Sequence, residues 1–367
     1  MKRIRRILLF VIGPLVVLCV VSGIISALNN RNLPTEPASL SRLSQLDKAR
    51  LAEALHLKQE LGERVWPRWG QMDIPVILWN RDYSFLVGEP SLPSGWDLVT
   101  GDTFESQAYY RQQSDDPQNF AVRVDDSWVA SMATKWQTDA FLMEGFRGFV
   151  PSLIDAVFPY WLLVQPSEVQ ITGVLHETFH AYQIQAAPNL LEEAEDAHHF
   201  GGMYWQADES MHDEWAEEID LLAKALEAES DQEVGELVHQ FLNQREERRM
   251  AHGLSETLIA FERLLEWEEG LAKYVELEMW REAYFAQDYE PLASVVSDPD
   301  FKSYSTFEQR WSQELAQMKR QATREGEVRF YYTGMAQAML LDRLVPGWKH
   351  HAFSEDTWLE TLLAEGK

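Results

Sequence analysis

His176-Glu177-Thr178-Phe179-His180 constrains this chain more than any other stretch. Two imidazoles four residues apart share one side only if the backbone between them is helical, because four residues make about one turn. Residues 178, 179, 181 and 182 are Thr, Phe, Ala and Tyr, the uncharged surroundings of a buried helix. Ile171, Val174, Leu175, Phe179 and Tyr182 carry an apolar face through it, and Ser167-Glu168-Val169-Gln170 reads as a capping box that opens it. On such a helix His176 and His180 can reach one tetrahedral ion, with Glu177 offset beside the open coordination position as a catalytic base. The fold must therefore bury a helix with a polar strip and bring a third ligand to it.

That third ligand cannot be a thiolate, because the only cysteine, Cys19, lies in an apolar N-terminal run. A third histidine in the metzincin position is also absent, since Gln183 and Ala186 stand where that pattern needs Gly and His. The third ligand must then be a His, Asp or Glu from elsewhere, and a later helical stretch, 267–276, supplies carboxylate candidates. Glu262, Glu266, Glu269 and Glu276 fall near one helical face, Glu268 sits between them, and periodicity alone does not choose among these.

Together with the His176–His180 helix, Glu269-Gly270-Leu271-Ala272-Lys273-Tyr274 resembles the E-G-x-A-x-Y segment of gluzincin metallopeptidases, seen in membrane alanyl aminopeptidases and bacterial collagenases. The resemblance covers two short segments, both bearing metal chemistry and in the same order. It implies a zincin-like catalytic domain holding one Zn2+ per chain through His176, His180 and Glu269, with Glu177 as base and a peptide or protein as substrate. Gly270 and Ala272 are expected to let this helix approach the histidine helix closely. The 88 residues between His180 and Glu269 imply a helical insertion, placed at 190–250. Arg329-Phe330-Tyr331-Tyr332 offers a phenol for the oxyanion formed during carbonyl attack, with Tyr332 preferred over Tyr331.

Residues 7–28 are uncharged and almost wholly apolar, and at about 1.5 Å per residue a helix of that length crosses a hydrocarbon core of roughly 30 Å. Lys2, Arg3, Arg5 and Arg6 precede this run, so it reads as a transmembrane signal anchor with residues 1–6 as a cytoplasmic tail. Residues 29–41 form a flexible stalk and residues 42–367 an extracytoplasmic domain. Net charge is −27; beyond residue 31 the 27 basic and 59 acidic side chains leave −32, which excludes nucleic acid as a partner.

Ile74–Asn80 with Tyr83–Gly88, and Phe120–Val124 with Trp128–Met132, read as two β-hairpins, and from Pro151 onward the pattern is helical. The fold class is α+β, mostly helical, with strands first. The charge-dense segment 190–250 reads as solvated faces of long helices. Two other functions are compatible with the sequence. Glu-x-x-His recurs at Glu177–His180, Glu195–His198, Glu209–His212 and Glu236–His239, as a ferritin-like di-iron bundle would use it. A catalytically inactive zincin-like scaffold is the other.

Overall fold

The computed structural model describes residues 17–33 and 40–366; residues 1–6, part of the apolar run and residues 34–39 of the stalk lie outside them. Both expected hairpins form. Strands β1 (Val76–Trp79) and β2 (Tyr83–Val87) pair antiparallel, and Asn80 closes their turn by accepting the Asp82 and Tyr83 amides on its side chain. Strands β5 (Phe120–Val124) and β6 (Ser127–Ala133) do the same around Asp125, whose φ is +48°. A parallel pairing of β1 with β6 joins the hairpins. The short strands β3 (Asp97–Leu98) and β4 (Tyr110–Gln113) extend the sheet to the order β3-β4-β2-β1-β6-β5, leaving β5 at an edge. Neither carries an alternating apolar pattern, which is why the sequence does not announce them.

The alternation of strand side chains divides the sheet's two faces. Ile77, Trp79, Leu86, Tyr110, Val129 and Ala133 form a small apolar layer on one side, whereas Val76, Leu78, Phe85, Val87 and Ala130 join the main core on the other. Among the described residues fourteen α-helices follow one another in chain order. Residues 17–29 are α1, and α2 (Gln45–Val65) and α3 (Lys135–Arg147) precede the histidine helix α4 (Ser167–Ala186). Helices α5 (Pro188–Ala197), α6 (Gly201–Asp208), α7 (His212–Glu227) and α8 (Asp231–Ala251) occupy the segment read as an insertion. After α9 (Glu256–Leu265) a five-residue π-turn, Glu266–Gly270, leads into α10 (Leu271–Phe285). The remaining helices are α11 (Ala293–Val296), α12 (Phe307–Arg320), α13 (Val328–Leu344) and α14 (Leu359–Glu365).

Helix α4 lies on β5 and β6 and is covered by α2 and α10, so it is buried as its sequence requires. Its start differs from the expected capping box. Ser167 is the first helical residue, not the cap; its hydroxyl donates to Asp298 at 2.6 Å, and the Gln170 amide donates to the Ala133 carbonyl at 2.7 Å. Asp298 is also gripped by both arms of the Arg50 guanidinium, and a buried, charged acceptor outcompetes a local backbone amide. Beneath the helix, Trp66 meets Phe179 edge-on at 4.9 Å, and Phe353 contacts Trp66, Tyr182 and Trp267.

Segment 190–250 is less solvated than its composition implies. Arg245, Arg248 and Arg249 turn inward and are at most 9% exposed. Arg245 binds Glu218, Glu266 and Glu360, Arg248 binds Glu218 and Glu262, and Arg249 binds Glu262 and Glu360. Arg263 adds a contact to Glu360 at 2.6 Å, so four carboxylates meet four guanidiniums. Such a network repays desolvation only because nearly every lone pair and N–H is matched.

No helix among the described residues is long and apolar enough to cross a membrane, and the described part of the apolar run is the helix α1. The stalk is tied at both ends. Asn30 donates its side-chain amide to the Phe158 carbonyl, and the carbonyl of Leu40 accepts from Asn80.

Candidate metal centre

Three ligand-type atoms converge between α4 and the π-turn. Nε2 of His176 lies 3.1 Å from Nε2 of His180 and 3.3 Å from Oε2 of Glu269, and the third side of the triangle, His180 to Glu269, is 3.4 Å. A tetrahedral zinc with bonds of about 2.0–2.1 Å has ligand atoms about 3.3–3.4 Å apart, so the triangle has the dimensions of one tetrahedral face. All three residues are buried.

The tautomer of His180 is set from outside. Gln183, three residues after His180, donates its amide to the carbonyls of Trp267 (3.0 Å) and Glu268 (3.1 Å). Those carbonyls are available because the wider π-turn departs from the regular helical ladder. With its nitrogen so committed, the Gln183 oxygen accepts from Nδ1 of His180 at 2.9 Å, leaving a bare lone pair on Nε2 facing the site. Nδ1 of His176 faces Glu276 at 3.6 Å. Glu276 is in turn held by Lys273 at 2.9 Å and Arg310 at 3.1 Å.

The electrostatics are those of a site short of positive charge. Burial pushes the Glu177 carboxyl up to about 8, with Glu269 and Glu276 adding to the rise against His176. Burial opposes charge on His176, yet Glu269, Glu276 and Glu177 outweigh it and raise that imidazole to about 10. Burial likewise opposes the charge on Glu269, but His180 and His176 hold it well below the usual carboxylate range. Two imidazoles and one carboxylate, with lone pairs facing one point in a negative surrounding, suit a divalent cation of the zinc type.

Of the five candidate carboxylates only Glu269 joins the histidines. Glu262 and Glu266 belong to the arginine network, and Glu276 stands behind His176. Glu268 turns away to His198, 3.2 Å from its Nε2, while Nδ1 of His198 lies 2.9 Å from Glu327. Glu195, His198 and Glu268 form a second group with ligand atoms within 4.8 Å of one another, more exposed than the first. His239 instead contacts Asn243 and, with Glu236, lies at the surface.

Two expectations need revision. Gly270 does not face the histidine helix: a Cβ there would fall 2.5 Å from Cα of Gly334 in α13, and one on Gly334 would fall 2.3 Å from the Glu266 carbonyl oxygen. The small residues seat the π-turn on α13. Tyr332, preferred above as the oxyanion donor, gives its hydroxyl to Glu314 at 2.8 Å, behind the site. Tyr331 is the phenol at the centre. Its ring stacks on His176 with centroids 6.0 Å apart, and burial together with the Glu269 carboxylate it hydrogen-bonds raises its pKa. Residues 331 and 332 lie about 100° apart on a helix, so the sequence could not tell which one faces inward. Gln183 and Lys273 had no assigned role either, although position i+3 from a histidine ligand is within reach of its ring.

Compared with known proteins, the chain matches no family model, no curated protein and no solved structure.

Proposed function

We propose that this protein is a zinc-dependent metallopeptidase of the gluzincin type, anchored through its N-terminal helix with the catalytic domain outside the cytoplasm. The observation that carries the reading is the triangle of His176, His180 and Glu269, at tetrahedral-edge spacing with His180 oriented from behind by Gln183. A zinc ion held there would supply a Lewis acid and a water of lowered pKa.

The chain's own groups account for the rest. Glu177, adjacent to His176 on α4, can take a proton from water and return it to a leaving amine. Tyr331 can donate to the oxygen on which charge develops. Edge strand β5 lies beside α4, with the Phe120 ring 4.6 Å from that of His180, and its outer side carries no strand among the described residues. An extended peptide can pair along such an edge and pass its carbonyls close to the histidines, which favours a peptide over a compact small molecule. A di-iron bundle receives less support, because the ligand triangle is built from α4, which lies on an open sheet, and the π-turn, not from two helix pairs around a bundle core.

The test is metal content and peptide hydrolysis of the full chain. Wild type should bind one zinc in this site and cleave, and Glu177→Gln should keep that zinc and lose at least roughly 10²-fold in rate. Full activity in Glu177→Gln would sink the mechanism, and iron at two per chain would replace it with the carboxylate bundle.

A further inference from the structure

The described residues carry 26 exposed large hydrophobic side chains, and 16 of them fall in two places, seven on α1 and nine between 136 and 162. The two places touch. A Cβ on Gly23 of α1 would lie 3.6 Å from the Val157 side chain, Ser26 is buried, and Asn30 bonds the Phe158 carbonyl at 2.7 Å. Segment 148–163 runs through two 3-10 turns, and its tips point outward: Phe149 is 88% exposed, Leu153 96% and Leu162 62%, with Trp161 at 39%. Large apolar side chains clustered in water forfeit the free energy of burial, an arrangement a domain keeps where something covers it.

Segment 148–163 has a single charged residue, Asp155, which accepts from the Tyr160 hydroxyl; next to it Arg147 lies over the Tyr160 ring at 5.1 Å and Asp139 is buried against Lys135, while Glu144 of α3 is exposed. In a chain of net charge −27, the face is apolar where the surface elsewhere is acidic. Its position relative to α1 names the occupant. Val157 meets Gly23, five residues before the last apolar residue Leu28, or about 7.5 Å inward along a helix. That is the depth, about 5–10 Å, at which interfacial segments bury their apolar side.

We infer that residues 148–162 form a second membrane contact, with Phe149, Leu153, Trp161 and Leu162 inserted into the leaflet from which α1 emerges. The inference rests on the anchor reading above. The catalytic domain then lies against the bilayer, and its attachment is apolar, since a chain this acidic gains nothing from anionic headgroups.

The test uses the full chain with Cys19→Ser and one new cysteine, Leu28→Cys, Phe149→Cys, Leu153→Cys or Met250→Cys, carrying an environment-sensitive fluorophore. Each variant is placed in phosphatidylcholine nanodiscs with and without nitroxide-labelled lipid. Labels at 28, 149 and 153 should be blue-shifted and quenched by the nitroxide at both low and high salt, and the label at 250 should not. Quenching at 28 without quenching at 149 and 153 overturns the second contact and leaves the anchor standing. No quenching at 28, with the protein extracted by alkaline carbonate, overturns the anchor and the contact with it. Labels at 149 and 153 that are blue-shifted but unquenched would mean a second copy of the chain covers the face, and would overturn the proposal as well.

Discussion

The closest backbone approach near the candidate metal centre makes a stability prediction that needs no metal. Gly334→Ala in α13 would place a methyl carbon 2.3 Å from the Glu266 carbonyl oxygen and 2.8 Å from Cα of Gly270, all of them backbone atoms that cannot rotate away. Relieving the contact requires moving α13 off the π-turn by about 1 Å, into a core already at crystal-like density. Overpacking of this kind costs about 1–3 kcal/mol or more. Gly235→Ala in α8 is the control, because its added Cβ meets nothing within 4 Å and should stabilise by about 0.5–1 kcal/mol. Chemical denaturation of both variants reads the two signs, and chelator competition reads zinc. The π-turn carries Glu269, so Gly334→Ala should also bind zinc more weakly, while Gly235→Ala should bind it as wild type does. Gly334→Ala with wild-type stability would refute the argument that the paired glycines set this spacing.

Three further outcomes follow from the site and its surroundings. Tyr331→Phe should lower kcat by roughly 10–10²-fold with little change in KM, whereas Tyr332→Phe, whose hydroxyl serves Glu314, should have the smaller effect; equal losses would remove Tyr331 from the oxyanion role. Gln183→Leu removes the partner of His180 Nδ1 and should weaken zinc binding by about 10–100-fold in a chelator titration, an unchanged affinity contradicting the relay. Glu360, despite its burial, is lowered from 4.5 to about 2 by Arg249 and Arg245, and Glu262 lies lower still. Their folded pKa values are depressed, so the stability they add is whole above about 4.5 and lost as pH falls toward 2. Denaturant midpoints should drop over that window in wild type and less so in Glu360→Gln, and equal slopes would contradict the assignment.

Much of the architecture was legible where local pattern and tertiary role coincide. Both hairpins follow from alternating residues around Arg81-Asp82 and Asp125-Asp126, and His176 with His180 declares its helix by spacing alone. Glu269 was singled out by its Gly270 context, yet the reason was different: the glycine serves contact with Gly334, a residue about 60 positions later that no local pattern connects to it. Ser167 has a capping sequence, and a buried Asp298 took its hydroxyl. Composition could not reveal that Arg245, Arg248 and Arg249 point inward, because a guanidinium enters a core only when carboxylates from distant segments meet it there. The same holds for Lys273 and Arg310, whose contacts to Glu276 exist only once α10 and α12 pack.

The arginine network also fixes an order of events during synthesis. Glu360 lies 115 residues after Arg245, 111 after Arg249 and 97 after Arg263. Translation proceeds from the N-terminus, so for the time needed to add about 100 residues, some 5–20 s at roughly 5–20 residues per second, the guanidiniums exist without their fourth carboxylate. Helices α7, α8 and α9 can meet in that interval, but closing them would strand positive charge in a dry interior. The helical half of the domain should therefore stay open, exposed to chaperones and proteases, until α14 arrives to neutralise it.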